Sequence, residues 1–124
     1  MAPEQNYFDY FNYSAFIHIV FTRQKIDLFD TPNISKYLNY YMEHHNYPNT
    51  IFDLRNVNYT DSAGFGLLIS VMSKCKKNGN EVVLLCNKES MIDDLKVSGV
   101  TNFFSIFKNF SDAEKKFSHI SNIS

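Results

Sequence analysis

Val82-Val83-Leu84-Leu85-Cys86 is an unbroken apolar run of β-branched and aliphatic residues. With no polar position alternating along it, such a strand is covered on both faces or lies at the centre of a sheet. A second short apolar strand, Thr50-Ile51-Phe52-Asp53-Leu54, is broken only by Asp53. Between the two, Asp61 stands where an N-cap belongs, a helical pattern runs from about Ser62 to Lys77, and Asn78-Gly79-Asn80 supplies a left-handed stop. Strand, helix and strand alternate here, which points to an α/β fold.

The flanking segments extend the pattern. Tyr7 to Thr22 reads as two strands joined as a hairpin, with Asn12 turning the chain. In the second strand Phe16, His18, Val20 and Thr22 share one face and Ala15, Ile17, Ile19 and Phe21 the other, so His18 is expected to be structural. Thr31-Pro32 reads as an N-cap followed by proline at the first helical position. Ile34, Leu38, Tyr41, Met42 and His45 then form the inner stripe, Lys36, Asn39 and Glu43 the wet side, and Pro48 ends the helix. Met91, Ile92 and Leu95 mark a helix over Ser90–Ser98 that ends at Gly99, and Phe103 to Phe107 reads as a last short strand. Ser111-Asp112-Ala113-Glu114 matches a capping box, with Ala113, Phe117 and Ile120 as the buried stripe of a final helix that frays after His119. The order β-β-α-β-α-β-α-β-α gives an α/β sandwich with a mixed four- to five-stranded sheet and about four helices. No repeat or linker divides the chain, so a single domain over residues 1–124 is expected, with its core at about 5–119.

Charge narrows the classes of partner. Twelve basic and thirteen acidic residues give a net charge of -1 without a long block of either sign, so neither nucleic acid nor an anionic bilayer is expected as a partner. Lys74, Lys76 and Lys77 read as the basic last turn of a helix. The longest apolar stretch is about seven residues, far short of the ~20 that a membrane helix needs. Met1 to Tyr10 has neither a basic leader nor a continuous apolar segment, so no secretory signal is expected. Cys75 and Cys86 read as free buried thiols of a reducing compartment, the cytoplasm.

The motif that stands out for chemistry is Asp61-Ser62-Ala63-Gly64. A helix N-terminus leaves amides unpaired and carries partial positive charge, so a serine there is placed to hold or receive a phosphate. Small residues surround Ser62: Ala63, Gly64 and Gly66, followed by Ser70 and Ser73 along roughly the same stripe. A face so lined admits close approach by a partner. Phe65, Leu68, Ile69, Met72 and Cys75 are expected to anchor the opposite side of the helix and turn Ser62 outward. Taken alone, Asp61-Ser62 is more readily read as merely a capping pair.

The run Ile51-Phe52-Asp53-Leu54-Arg55-Asn56-Val57-Asn58-Tyr59-Thr60-Asp61-Ser62-Ala63-Gly64-Phe65-Gly66-Leu67-Leu68 resembles the strand, loop and helix start of STAS domains, specifically bacterial anti-sigma factor antagonists. Asn78-Gly79-Asn80-Glu81 and Leu95-Lys96-Val97-Ser98-Gly99-Val100 follow in matching order. The resemblance implies that Ser62 is phosphorylated by an anti-sigma factor that is a serine kinase and is dephosphorylated by a serine phosphatase. It implies that the unphosphorylated form binds that kinase and releases the sigma factor, with Asp27, Asp61, Ser62, Ala63, Gly64, Gly66 and Ser70 forming the partner surface. Ala63 stands where many relatives carry a second serine, leaving Ser62 as the acceptor. The family's Gly-x-Leu-Asp segment reads Gln24-Lys25-Ile26-Asp27, with Asp27 kept and the glycine replaced. STAS-like modules also serve lipid-transport complexes, transporter tails and stress-sensing assemblies. The chain's free-standing length favours the sigma-factor reading over a transporter tail.

Other chemistries fit the residues less well, and no enzyme is expected. A nucleophilic Ser62 needs a base, yet none of His18, His44, His45 and His119 falls in a nucleophile-elbow motif, and no glycine stands two residues before Ser62. Asp53 as a receiver-type phosphoacceptor would require an acidic pair near the first strand, which ends instead in Asn12 and Tyr13. It is better read as a loop-organising carboxylate near Arg55. His44 and His45 point about 100° apart on a helix, and Gly64-Phe65-Gly66 lacks the loop of a dinucleotide site, so neither metal nor cofactor is expected.

Overall fold

The opening hairpin turns on Tyr13 to Phe16, where Tyr13 N–H donates to the Phe16 carbonyl at 2.9 Å. Asn12, expected in the turn, is instead the last residue of β1 (Phe8–Asn12), paired with Ile17 at the start of β2 (Ile17–Phe21). These elements belong to a computed structural model that describes residues 4–121, with side chains described over 4–117. The chain continues through β3 (Lys25–Ile26), α1 (Thr31–His44), β4 (Thr50–Asp53), β5 (Tyr59–Thr60), α2 (Ser62–Lys77), β6 (Val82–Leu85), α3 (Glu89–Val97), a 3-10 turn (Val100–Asn102), β7 (Ser105–Phe107) and α4 (Phe110–Ser121).

Five strands form a mixed sheet in the order β1-β2-β4-β6-β7, in which β1 runs antiparallel to β2 and the remaining pairs are parallel. The unbroken apolar run of β6 is explained by its place: Val82 and Leu84 enter the larger core, while Val83 and Leu85 enter a second one. The larger core joins one face of the sheet to α1, α2 and α3 through Ile34, Leu38, Leu68, Val71, Met91 and Leu95. The smaller lies under α4, where Ala113 and Phe117 meet Phe16, Ile51, Val83 and Leu85. This is the α/β sandwich expected, with one addition: β3 and β5 pair in a separate two-stranded sheet. Two-residue strands carry no legible periodicity.

Element ends differ where local bonds outweigh composition. Helix α1 starts at Thr31 itself, because Thr31 N–H is drawn to the Asp27 carbonyl at 2.9 Å, and Asp30 occupies the cap position. His45, expected on the inner stripe, is exposed: the helix stops at His44, and Asn46 and Tyr47 turn left-handed with φ of 59° and 48°. Asn109 caps α4 two residues before the expected Ser111, accepting from Asp112 N–H at 2.9 Å while its amide donates to the Asp112 carboxylate at 3.1 Å. Helix α4 runs on to Ser121, past the expected fraying point at His119, while the side-chain burial of Ile120 lies outside the described residues. Helix α2 runs over the expected span, and Gly79 at φ 76° supplies its stop. Both cysteines are free and buried, and burial pushes the Cys75 thiol up to about 11.

A buried carboxylate in the sheet joins His18, Asp53 and Arg55. The buried Asp53 carboxylate takes His18 Nε2 at 2.9 Å and the Arg55 guanidinium at 2.8 Å, and accepts from Arg55 N–H at 3.0 Å. This is the structural role read for both His18 and Asp53. Burial alone would raise Asp53, but the bonds from His18 and Arg55 outweigh it and hold the carboxyl at about 2, below the ordinary 3.8. A group depressed in the folded state contributes stability above its unfolded value and loses it as pH falls through the folded value. Urea titrations are therefore expected to show a loss of about 2 kcal/mol between pH about 4 and about 2. In Asp53→Asn that acid step is expected to shrink; an unchanged step would assign it to other groups.

Candidate functional site

The start of α2 is fixed by the small β3–β5 sheet. Lys25 and Ile26 pair with Tyr59 and Thr60 in parallel, and Asp61 N–H donates to the Ile26 carbonyl at 3.3 Å. Gln24, where the family pattern has glycine, accepts on its carbonyl from Asn58 N–H at 2.6 Å and Tyr59 N–H at 3.3 Å. Gln24 is not among the residues with positive φ, so a side chain is tolerated without backbone strain. The loop that borders Ser62 is thus tied to the strand beneath it.

Asp61 then joins two segments with one carboxylate. Oδ1 accepts from Gly64 N–H at 3.0 Å, capping α2, and Oδ2 accepts from Leu28 N–H at 3.0 Å in the turn between β3 and α1. Asp27 organises that same turn: its Oδ1 accepts from Phe29 N–H at 3.0 Å and Asp30 N–H at 3.3 Å, and Lys25 Nζ lies 3.6 Å from Oδ2. The structure therefore brings Asp27 and Asp61 together around one turn, and both carboxylates are engaged in holding backbone in place.

Ser62, the first residue of α2, is exposed and stands outside these carboxylate bonds. Its hydroxyl sits at the positive end of a 16-residue helix, where an added phosphate finds backbone amides and a favourable dipole. Gly66 and Ser70 are exposed on the same helix, and Ala63 is half-buried.

Gly64 departs from the expected open face. It is buried, and a Cβ built there would lie 2.4 Å from Thr60 Cγ2 and 2.9 Å from the Ile26 carbonyl oxygen. Gly64 is what lets α2 lie against the β3–β5 sheet; at Gly66 a Cβ would meet nothing within 4 Å. The anchoring stripe is rotated accordingly. Leu67 and Val71 join Leu68, Met72 and Cys75 inside, and the expected anchors Phe65 and Ile69 are only partly buried.

Leu28 and Phe29, passed over in the sequence, lie beside this site with 65% and 90% of their surface exposed. The signal was available in Asp27-Leu28-Phe29-Asp30, an apolar pair between acids in a segment that the pattern leaves as loop. Among the described residues no group of three or more His, Cys, Asp or Glu is placed to hold a metal ion, and no helix is long and apolar enough to cross a membrane.

Comparison with known proteins places this geometry in a family. The STAS domain model matches residues 14–113, and the chain belongs to that family. Among solved structures, an anti-sigma factor antagonist from Mycobacterium paratuberculosis superposes with a TM-score of 0.77 at 14% identity, covering 90% of this chain and 92% of its own. Bacillus SpoIIAA in its phosphorylated form gives 0.64 at 15% identity, covering 88% of this chain and 97% of its own. The anion transporter Slc26a9 of mouse gives 0.69 at 15% identity, over 80% of this chain and 17% of its own. At these identities the likeness is one of fold.

Gly64→Ala is expected to lower unfolding stability by about 1–3 kcal/mol, because the methyl group must displace Thr60 or the Ile26 backbone. Gly66→Ala is expected to be neutral or to stabilise by up to about 1 kcal/mol. Denaturant melts of the two variants check the contrast, and equal effects would contradict the packing role of Gly64.

Proposed function

We propose that this chain is an anti-sigma factor antagonist whose unphosphorylated form binds an anti-sigma factor serine kinase and so releases a sigma factor, with Ser62 as the switch. The observation that carries the reading is the exposed Ser62 hydroxyl on the first residue of α2, beside an Asp61 already committed to the helix cap and the adjoining turn. In the reaction the Ser62 oxygen attacks the γ-phosphorus of ATP, an O–P bond forms, the bond to the β,γ-bridging oxygen breaks, and ADP leaves. The hydroxyl proton passes to a base on the kinase. A serine phosphatase restores the hydroxyl by hydrolysis.

The phosphate adds about -1.5 to -2 charges at neutral pH, in the middle of the surface the kinase covers. The helix end stabilises it, while its bulk and the neighbouring Asp61 charge oppose re-docking. The switch thus acts by blocking a surface rather than by remaking the fold. Asp27, Asp61, Ala63, Gly66 and Ser70 border Ser62 in this reading, with Gly64 shaping the surface from beneath. The cytoplasm, where ATP and the transcription machinery reside, is the proposed site of action.

Incubation with the anti-sigma factor serine kinase of the same organism and ATP tests this. One phosphate is expected on Ser62, none on Ser62→Ala, and that variant is expected to bind the kinase permanently. Undiminished labelling of Ser62→Ala would refute the site.

A further inference from the structure

Phe29 is the most exposed large hydrophobic side chain among the described residues, and Leu28 next to it is 65% exposed. Single exposed apolar residues are ordinary on protein surfaces. This pair differs because its backbone is held by donors committed one after another. Leu28 N–H goes to Asp61 Oδ2, Phe29 N–H to Asp27 Oδ1, Asp30 N–H to the Asp27 carboxylate and carbonyl, and Thr31 N–H to the Asp27 carbonyl. A turn tied this way has little backbone freedom left to lose, a condition under which an apolar anchor contributes more to binding. An aromatic residue with two rotatable side-chain bonds suits that role.

The occupant follows from continuity with the switch surface. Leu28 is bonded to the carboxylate of the residue immediately before Ser62. A protein that covers the Ser62 hydroxyl therefore meets the tip of this turn in the same contact. We infer that Leu28 and Phe29 form the apolar anchor of this chain, seated in a complementary apolar pocket on the serine kinase that phosphorylates Ser62. This rests on the Ser62 reading proposed above. Because the tip lies outside the reacting atoms, its contact is the same before and during phosphoryl transfer, so it governs affinity and not the chemical step.

The test uses the full chain, the purified kinase of the same organism and MgATP, with Phe29→Ala, Leu28→Ser and Phe29→Tyr beside the wild type. Phe29→Ala and Leu28→Ser are expected to melt as the wild type does, since both side chains are exposed. Each is expected to raise the KM for phosphorylation, and the Kd for the ADP-bound kinase, by roughly ten- to a hundredfold, with kcat within about twofold. Phe29→Tyr is expected to recover most of the affinity. Wild-type labelling at Ser62 with an unchanged KM in Phe29→Ala overturns the anchor and leaves the switch standing. Absence of wild-type labelling at Ser62 overturns the switch and the anchor with it. A wild-type dimer in sedimentation velocity that dissociates in Phe29→Ala would assign the tip to a second copy of the chain, and also overturns the anchor.

Discussion

The carboxylate of Asp61 is the joint on which the Ser62 surface depends. Helix α2 starts where it does because one oxygen caps Gly64 N–H, and the turn before α1 is held against it because the other takes Leu28 N–H. Gly64 completes the joint from below, since only hydrogen fits between Thr60 and the Ile26 carbonyl. Substitution of either residue would disturb two segments that are more than thirty residues apart in sequence, which makes the surface a cooperative unit rather than a set of loop residues.

Most of the stability of the domain is lodged away from the Ser62 hydroxyl. The larger cluster between the sheet and three helices, the smaller one under α4, and the His18-Asp53-Arg55 bonds hold the fold. Ser62 contributes to none of them. A modification at Ser62 is therefore free to change what the surface can bind at small cost to folding, as a reversible switch requires.

What the sequence disclosed, and what it withheld, follows from the range over which each feature is encoded. The double-faced strand Val82–Leu85, the span of α2, the cap at Asp61 and the Asp53-Arg55 pairing are written in neighbouring residues, and all are found in the structure. Membership of the STAS family was legible from the run Ile51 to Leu68 together with two ordered motifs further on. The inward turn of Gly64 was not legible, because it depends on Ile26 and Thr60 meeting in a two-stranded sheet too short to show a period. His45 and the Asn109 cap were misplaced for a related reason. A left-handed pair at Asn46-Tyr47 and a capping asparagine two residues early shift element ends without altering the hydrophobic pattern. Leu28 and Phe29 look like ordinary loop residues until the bonds that fix them are seen.

The central claim is that a phosphate on Ser62 blocks a preformed surface while the fold stays as it is. Backbone amide spectra of the chain before and after stoichiometric phosphorylation test this most directly. The account predicts shifts confined to the first turn of α2, the Thr60-Asp61 segment and the Asp27–Thr31 turn, with the remaining amides of α2 and of the sheet unmoved. Loss of the α2 signals, or shifts spread through β4 and β6, would contradict it.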